Sequence, residues 1–188
     1  LPRYADFLGR LRQRLDSQTV AGRVGLAATL LPTWIDAPDD LSRLVRVVDD
    51  PVLQLHALNG RARSLFDADE ALASLTRFAP LAPRGFFVAL PNYGSRVARD
   101  EHGRVTSVLS EGDRSQVIDE HENEELFVRP AEMARFLGRL QQSGIAGLKG
   151  IVWFRLPLPG DQRIWSQSTW LAVVRGEDLA EKLSLNIR

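Results

Sequence analysis

No cysteine occurs anywhere in the 188 residues. That excludes a disulfide scaffold, a thiolate metal site and a cysteine nucleophile. It leaves the compartment open, because many periplasmic and secreted proteins also lack disulfides. An excess of charge of one sign is missing as well: 24 Lys+Arg stand against 24 Asp+Glu. Proteins that grip nucleic acid or an anionic membrane carry a basic excess, so neither partner is expected. No run of 18 apolar residues is present, and no membrane span is expected. Neither G-x-G-x-x-G nor a Walker motif follows any strand-like segment, which argues against dinucleotide and P-loop binding. Without G-x-S-x-G a Ser–His–Asp hydrolase is poorly supported. Histidine is scarce too. His56 has no second His at metal-ligand spacing, and His102 and His121 fall in a polar stretch, so no metal or other cofactor is expected. Lysine is nearly absent, with Lys149 and Lys182 the only two among 24 basic residues. Arginine suits carboxylate or phosphate sites, yet here it is scattered along helix faces beside acids, as a coding bias would give.

What is present is a globular core, with 44% apolar residues in a chain long enough for one domain. Tyr4, Phe7, Leu8, Leu11 and Leu15 recur at helical spacing and predict a first helix. The run from Val24 to Leu31 has no period-2 alternation, which reads as a strand buried on both faces. A helix with Leu41, Leu44, Val45 and Val48 inward comes next, and then a strand over 51–58 closed by Asn59-Gly60. Asp67 with Glu70 three residues on predicts a capped helix carrying Leu72, Leu75 and Phe78. A third strand over 85–90, a helix from Pro130 to a terminating Gly144, a fourth strand over 149–156 and a helix from about 166 to 174 complete the pattern. Alternation of this kind implies right-handed βαβ crossovers and a parallel sheet covered by helices. An open doubly wound sheet and a closed eightfold barrel both satisfy it.

Residues 1–175 are therefore expected to form one (β/α) unit, with 176–188 a polar tail and 94–129 an insertion. The insertion is rich in acidic residues, and Val105, Val108 and Leu109 beyond an Asp-Glu-His-Gly turn suggest a small hairpin that could roof the strand ends.

Three strands end in Leu-Pro: Leu31-Pro32-Thr33-Trp34, Leu90-Pro91-Asn92-Tyr93 and Leu156-Pro157. Proline cannot donate to a central ladder, so each marks where a strand leaves the sheet. Sites of parallel α/β folds lie at those carboxyl ends. Trp34, Asp36, His56, Asn92, Tyr93, Trp153, Arg155 and Asp161 are the candidate binding residues there; no residue is assigned a catalytic role. Aromatic faces beside hydrogen-bonding groups suit a sugar or another small polar ligand. Ordinary packing competes with this reading at Trp34 and Tyr93, and more strongly at Trp153 inside its apolar run. His56 reads as a satisfied histidine sooner than as an acid/base. Arg155 in an apolar strand needs a partner, Asp161 or Asp36. Whether that pair is structural or holds a substrate carboxylate stays open.

Leu-Pro-Thr-Trp (31–34), Leu-Gln-Leu-His (53–56), Ala-Leu-Pro-Asn-Tyr-Gly (89–94) and Gly-Ile-Val-Trp-Phe-Arg-Leu-Pro (150–157) resemble a bacterial family, domain of unknown function 3142. More distantly, the order is similar to the second half of the chitinase-like barrels of glycoside hydrolase family 18. Pro91-Asn92-Tyr93-Gly94-Ser95-Arg96 approaches their Pro-x-Tyr-Gly-Arg strand end, an inserted subdomain follows, and Trp153 is similar to their mouth-lining tryptophan. The resemblance implies an incomplete eightfold barrel made of its fifth to eighth βα units. The acidic strand that carries the family's catalytic acid would sit before Leu1. A glycan-binding, catalytically incomplete barrel portion is thus expected, or else an interaction domain that pairs with another half-barrel, a second copy or an N-terminal half. A glycan-facing barrel points to the cell envelope, periplasmic or secreted, with any signal peptide removed.

Overall fold

The computed structural model of the chain describes residues 1–18, 22, 24–56, 64–110, 123–157, 159–177 and 179. The first helix, α1 (Pro2–Gln18), buries Ala5, Leu8 and Arg12, whereas Phe7 of the expected stripe is exposed. The Arg12 guanidinium reaches the Val24 carbonyl at 2.8 Å, Asp49 at 2.9 Å and Asp16 at 2.6 Å, so a paired cation shares the buried face with Ala5 and Leu8. Helix α2 (Pro38–Val47) turns Leu41, Leu44 and Val45 inward, and its last carbonyls accept from the Arg84 guanidinium. Helix α3 (Ala68–Phe78) starts at Asp67, whose carboxylate accepts from the Asp69 and Glu70 amides at 2.9 Å. Helix α4 (Pro130–Ser143) buries Met133, Phe136 and Leu140 and stops at Gly144, whose φ of 60° lies in the left-handed region. Helix α5 (Gln167–Arg175) is capped by the Ser166 hydroxyl.

Between the helices run β1 (Ala27–Leu30), β2 (Asp50–Gln54) and β3 (Phe86–Pro91); a last strand of the same sheet, Leu148–Phe154, is β7. They form one parallel sheet in the order β1-β2-β3-β7. Leu30, Leu53 and Val88 stand in one register row, all at 0% exposure, on the face that the helices cover. The alternate row, Thr29, Val52 and Phe87, faces the other way and keeps part of its surface exposed. This corrects the reading of 24–31 as buried on both faces: β1 alternates exposed and buried, and Val24 and Leu31 are exposed. Helices shield one face only. The fold is mixed α/β with a parallel four-stranded sheet, and among the described residues that sheet is open and no barrel closes.

The segment after β3 builds its own small sheet from β4 (Gly94–Arg99), β5 (Val105–Leu109) and β6 (Asn123–Phe127), antiparallel in the order β5-β4-β6. The β4–β5 turn is held by Asp100, which accepts from the His102 and Arg104 amides. Val97, at 0% exposure, and Leu126 join the core, so this sheet is packed into the domain. Among the described residues no helix is long and apolar enough to cross a membrane.

Candidate functional site

The carboxyl ends of β2, β3 and β7 lie side by side, and the chain beyond each delivers polar groups to one place. His56 follows β2. Asn92 and Tyr93 follow β3, where the Asn92 amide donates to the Phe154 carbonyl at 3.2 Å and the Trp165 amide donates to the Asn92 carbonyl at 2.9 Å. Phe154 ends β7, and a cis peptide joins it to Arg155 just beyond the strand.

The centre is a ring cluster. His56 stacks on Phe154 at 5.1 Å between centroids and meets Tyr93 edge-on at 5.7 Å, with Nδ1 3.1 Å from the Tyr93 hydroxyl oxygen. Burial lowers the His56 pKa to about 4, so the ring is neutral at neutral pH. Burial also raises the Tyr93 phenol, against an opposing pull from Arg155, so the hydroxyl keeps its proton. The Arg155 guanidinium lies 5.6 Å from the Tyr93 ring centroid. It donates to Asp161 and to the Ser110 carbonyl, while the Asn92 side-chain amide donates to the Arg155 carbonyl at 2.7 Å. Asp161 also accepts from the Arg163 amide. Two polar atoms in the cluster, His56 Nε2 and Asn92 Oδ1, are buried with no hydrogen-bond partner among the described residues.

Five of the eight candidates, His56, Asn92, Tyr93, Arg155 and Asp161, are therefore brought together. The other three stand elsewhere. Trp34 lies in the 3₁₀ turn Pro32–Asp36 after β1, its ring edge-on to Tyr4 at 5.9 Å. Asp36 is exposed and pairs with Arg77 at 2.6 Å, so Asp161 is the carboxylate that Arg155 engages. Trp153 packs against Trp165 and Trp170 at 6.1 and 6.4 Å, in register with buried Leu90 on the helix-covered face. Asn59 lies outside the described residues.

Sequence reasoning missed Phe154, Ser110, Arg163 and Trp165. Phe154 was legible as a neighbour of Arg155. Nothing local marks the others, because they arrive through the turn at 161–165 and the small sheet. Arg163 is wholly buried and pairs with Glu125 of β6. Tyr93 bridges Ile164, and the Trp165 indole donates to the Val128 carbonyl at 2.8 Å. This turn clamps the small sheet to the strand ends. Chemically, the cluster offers a neutral imidazole and a protonated phenol in contact, an arginine already neutralised by Asp161, and aromatic faces. Among the described residues no group of three His, Cys, Asp or Glu could hold a metal ion.

A family model described as domain of unknown function (DUF3142) matches residues 1–159. No curated protein matches the sequence. Among solved structures, chitinase ChiA74 from Bacillus thuringiensis is similar at 10% identity and a TM-score of 0.55; the match covers 95% of this chain and 40% of the chitinase. The spore cortex-lytic enzyme SleL of Bacillus megaterium QM B1551 is similar at 13% identity and a TM-score of 0.52, covering 93% of this chain and 45% of that enzyme. The likeness is one of fold alone, and the chain spans less than half the length of either structure.

Proposed function

The chain belongs to the DUF3142 family, and from the site geometry together with the fold likeness we propose that it is a carbohydrate-binding portion of a glycoside-hydrolase-like barrel. Its four parallel strands would be the fifth to eighth of such a barrel, and its ligand a glycan held at the carboxyl ends of β2, β3 and β7. The observation that carries this reading is the convergence of Tyr93, Phe154 and His56 rings with two buried polar atoms that have no hydrogen-bond partner among the described residues. Apolar sugar faces suit the rings, and hydroxyls suit the polar atoms.

The reading is of binding without complete catalysis. Glycosidases ordinarily use two carboxyl groups about 5–9.5 Å apart. Asp161 is held by Arg155 and the Arg163 amide, and Asp36 pairs with Arg77 beyond β1. The two neighbours are by name a chitinase and a spore cortex-lytic enzyme, so chitooligosaccharides and peptidoglycan fragments head the ligand panel. Binding is expected to quench tryptophan fluorescence, with Trp165 beside Asn92 as reporter, and Tyr93→Ala is expected to abolish the response. A flat response across the panel overturns the proposal.

A second reading, an interaction domain that pairs with another half-barrel, is favoured by β7. That edge strand exposes Ile151, Val152 and Phe154, and Leu156 just beyond it is 66% exposed. An open apolar edge invites strand addition. A clean monomer by light scattering at micromolar concentration counts against it where the partner is a second copy.

A further inference from the structure

His56 is a buried titratable group whose partner, Tyr93, is itself titratable, and its ring is stacked on Phe154 and meets Tyr93 edge-on. The Tyr93 oxygen can give or take one proton in its contact with His56 Nδ1, and the direction decides what the rest of the cluster offers. If the hydroxyl donates to Nδ1, neutral histidine must carry its proton on Nε2. The Tyr93 oxygen then keeps its lone pairs, and Asn92 Oδ1 is a second acceptor, because its amide nitrogen is committed to the Arg155 carbonyl.

Resting on the carbohydrate reading, we propose that His56 is a positioning residue: its Nδ1 accepts a hydrogen bond from the Tyr93 hydroxyl, so that the cluster presents one donor (Nε2–H) and two acceptors (the Tyr93 oxygen and Asn92 Oδ1) to a neutral ligand with neighbouring O–H or N–H groups, and disfavours a carboxylate. A carboxylate is an acceptor only and satisfies neither Tyr93 nor Asn92. The cation that could compensate, Arg155, is neutralised by Asp161 and held to the Ser110 carbonyl. Leaving such buried acceptors unpaired is what makes a polar site discriminate. Phe154, stacked on His56, is 47% exposed and is the ring of the cluster that reaches the surface.

Two measurements on the whole chain test this. Long-range proton–nitrogen NMR, with His56 assigned by comparison with His56→Phe, is expected to show Nδ1 unprotonated and Nε2 protonated at neutral pH. The opposite tautomer, or an even mixture, overturns the proposal. Titration with neutral oligosaccharides and their uronate counterparts is expected to favour the neutral series by roughly tenfold or more. Equal or stronger uronate binding overturns this inference while leaving the carbohydrate reading intact. Binding by neither series defeats the carbohydrate reading, and with it the ligand preference, and the tautomer alone then decides the role of His56. Because His56→Phe can fail to fold, His56→Asn serves as the second variant. Its side-chain oxygen can accept from Tyr93, so it is expected to restore much of the neutral-ligand binding that His56→Phe loses; a purely packing role predicts no such rescue.

Discussion

At the scale of single residues, the fate of Arg155 shows what the sequence could and could not tell. A guanidinium in an apolar strand had to be paired, and the two candidate carboxylates were both visible. Choosing between them needed the chain path, because Asp36 leaves β1 on the far side of β2 from the cluster, while Asp161 pairs with Arg155 at the end of β7. His56 was legible as a buried histidine but not as the partner of Tyr93, since 37 residues separate them. Its burial carries a stability consequence whose sign is fixed. The folded chain holds His56 at a pKa of about 4 against an ordinary 6.5, so between those values the unfolded chain binds a proton that the folded chain refuses. Stability then rises with pH across that window and is lost as pH falls through it, by up to about 3 kcal/mol. His56→Phe is expected to flatten this limb. Urea unfolding at pH 7 and pH 4.5 checks it: the variant should lose less on acidification than the parent chain.

At the scale of elements, each α-helix and parallel strand among the described residues was written in local patterns, such as Asp67 as a cap, Gly144 as a stop and Pro130 as a start, whereas the 3₁₀ turns were not. The small antiparallel sheet was only half visible. Its β4 and β5 flank a readable turn, but β6 opens on the polar run Asn123-Glu124-Glu125 and looks like solvated chain. Those acids are used by arginines across the ladder, Glu124 by Arg99 and Glu125 by Arg96, a cross-strand pairing that no one-dimensional pattern displays. The same ladder makes Gly94 a packing position. A Cβ there would lie 2.6 Å from the Phe127 ring and 3.0 Å from the Leu126 carbonyl. Gly94→Ala is expected to cost about 1–3 kcal/mol through overpacking. Gly138, inside α4 with nothing within 4 Å of its Cβ position, supplies the contrast: Gly138→Ala is expected to stabilise by about 0.5–1 kcal/mol. Opposite shifts of Tm in the two variants check both expectations.

For the whole molecule, element order implied a parallel sheet and left open whether it closes. Periodicity reports burial along one strand and carries no term for how many strands there are, so the apolar run in β1 suggested two covered faces where the structure has one. Parallel sheets are ordinarily covered on both faces, and here Val52, Phe87 and Phe154 remain partly or largely exposed. Self-association through the β7 edge is therefore expected to rise with concentration. Val152→Lys, which puts a charge on that edge, is expected to suppress it, as sedimentation at two concentrations would reveal.

The bridge between Tyr93 and Ile164 ties these scales together. Tyr93 lies between the parallel strand that ends at Pro91 and the antiparallel one that begins at Gly94, so it sets the phase between two sheets with different hydrogen-bond geometry. A slip of a single residue on either side would invert which way its ring points. The Trp165 amide on Asn92 and the Gly94 amide on Arg163 forbid that slip from both directions. The orientation of the tyrosine is thus an all-or-none property of the seam, and its amide neighbours should lose hydrogen-exchange protection together, in one cooperative opening, and not by gradual fraying.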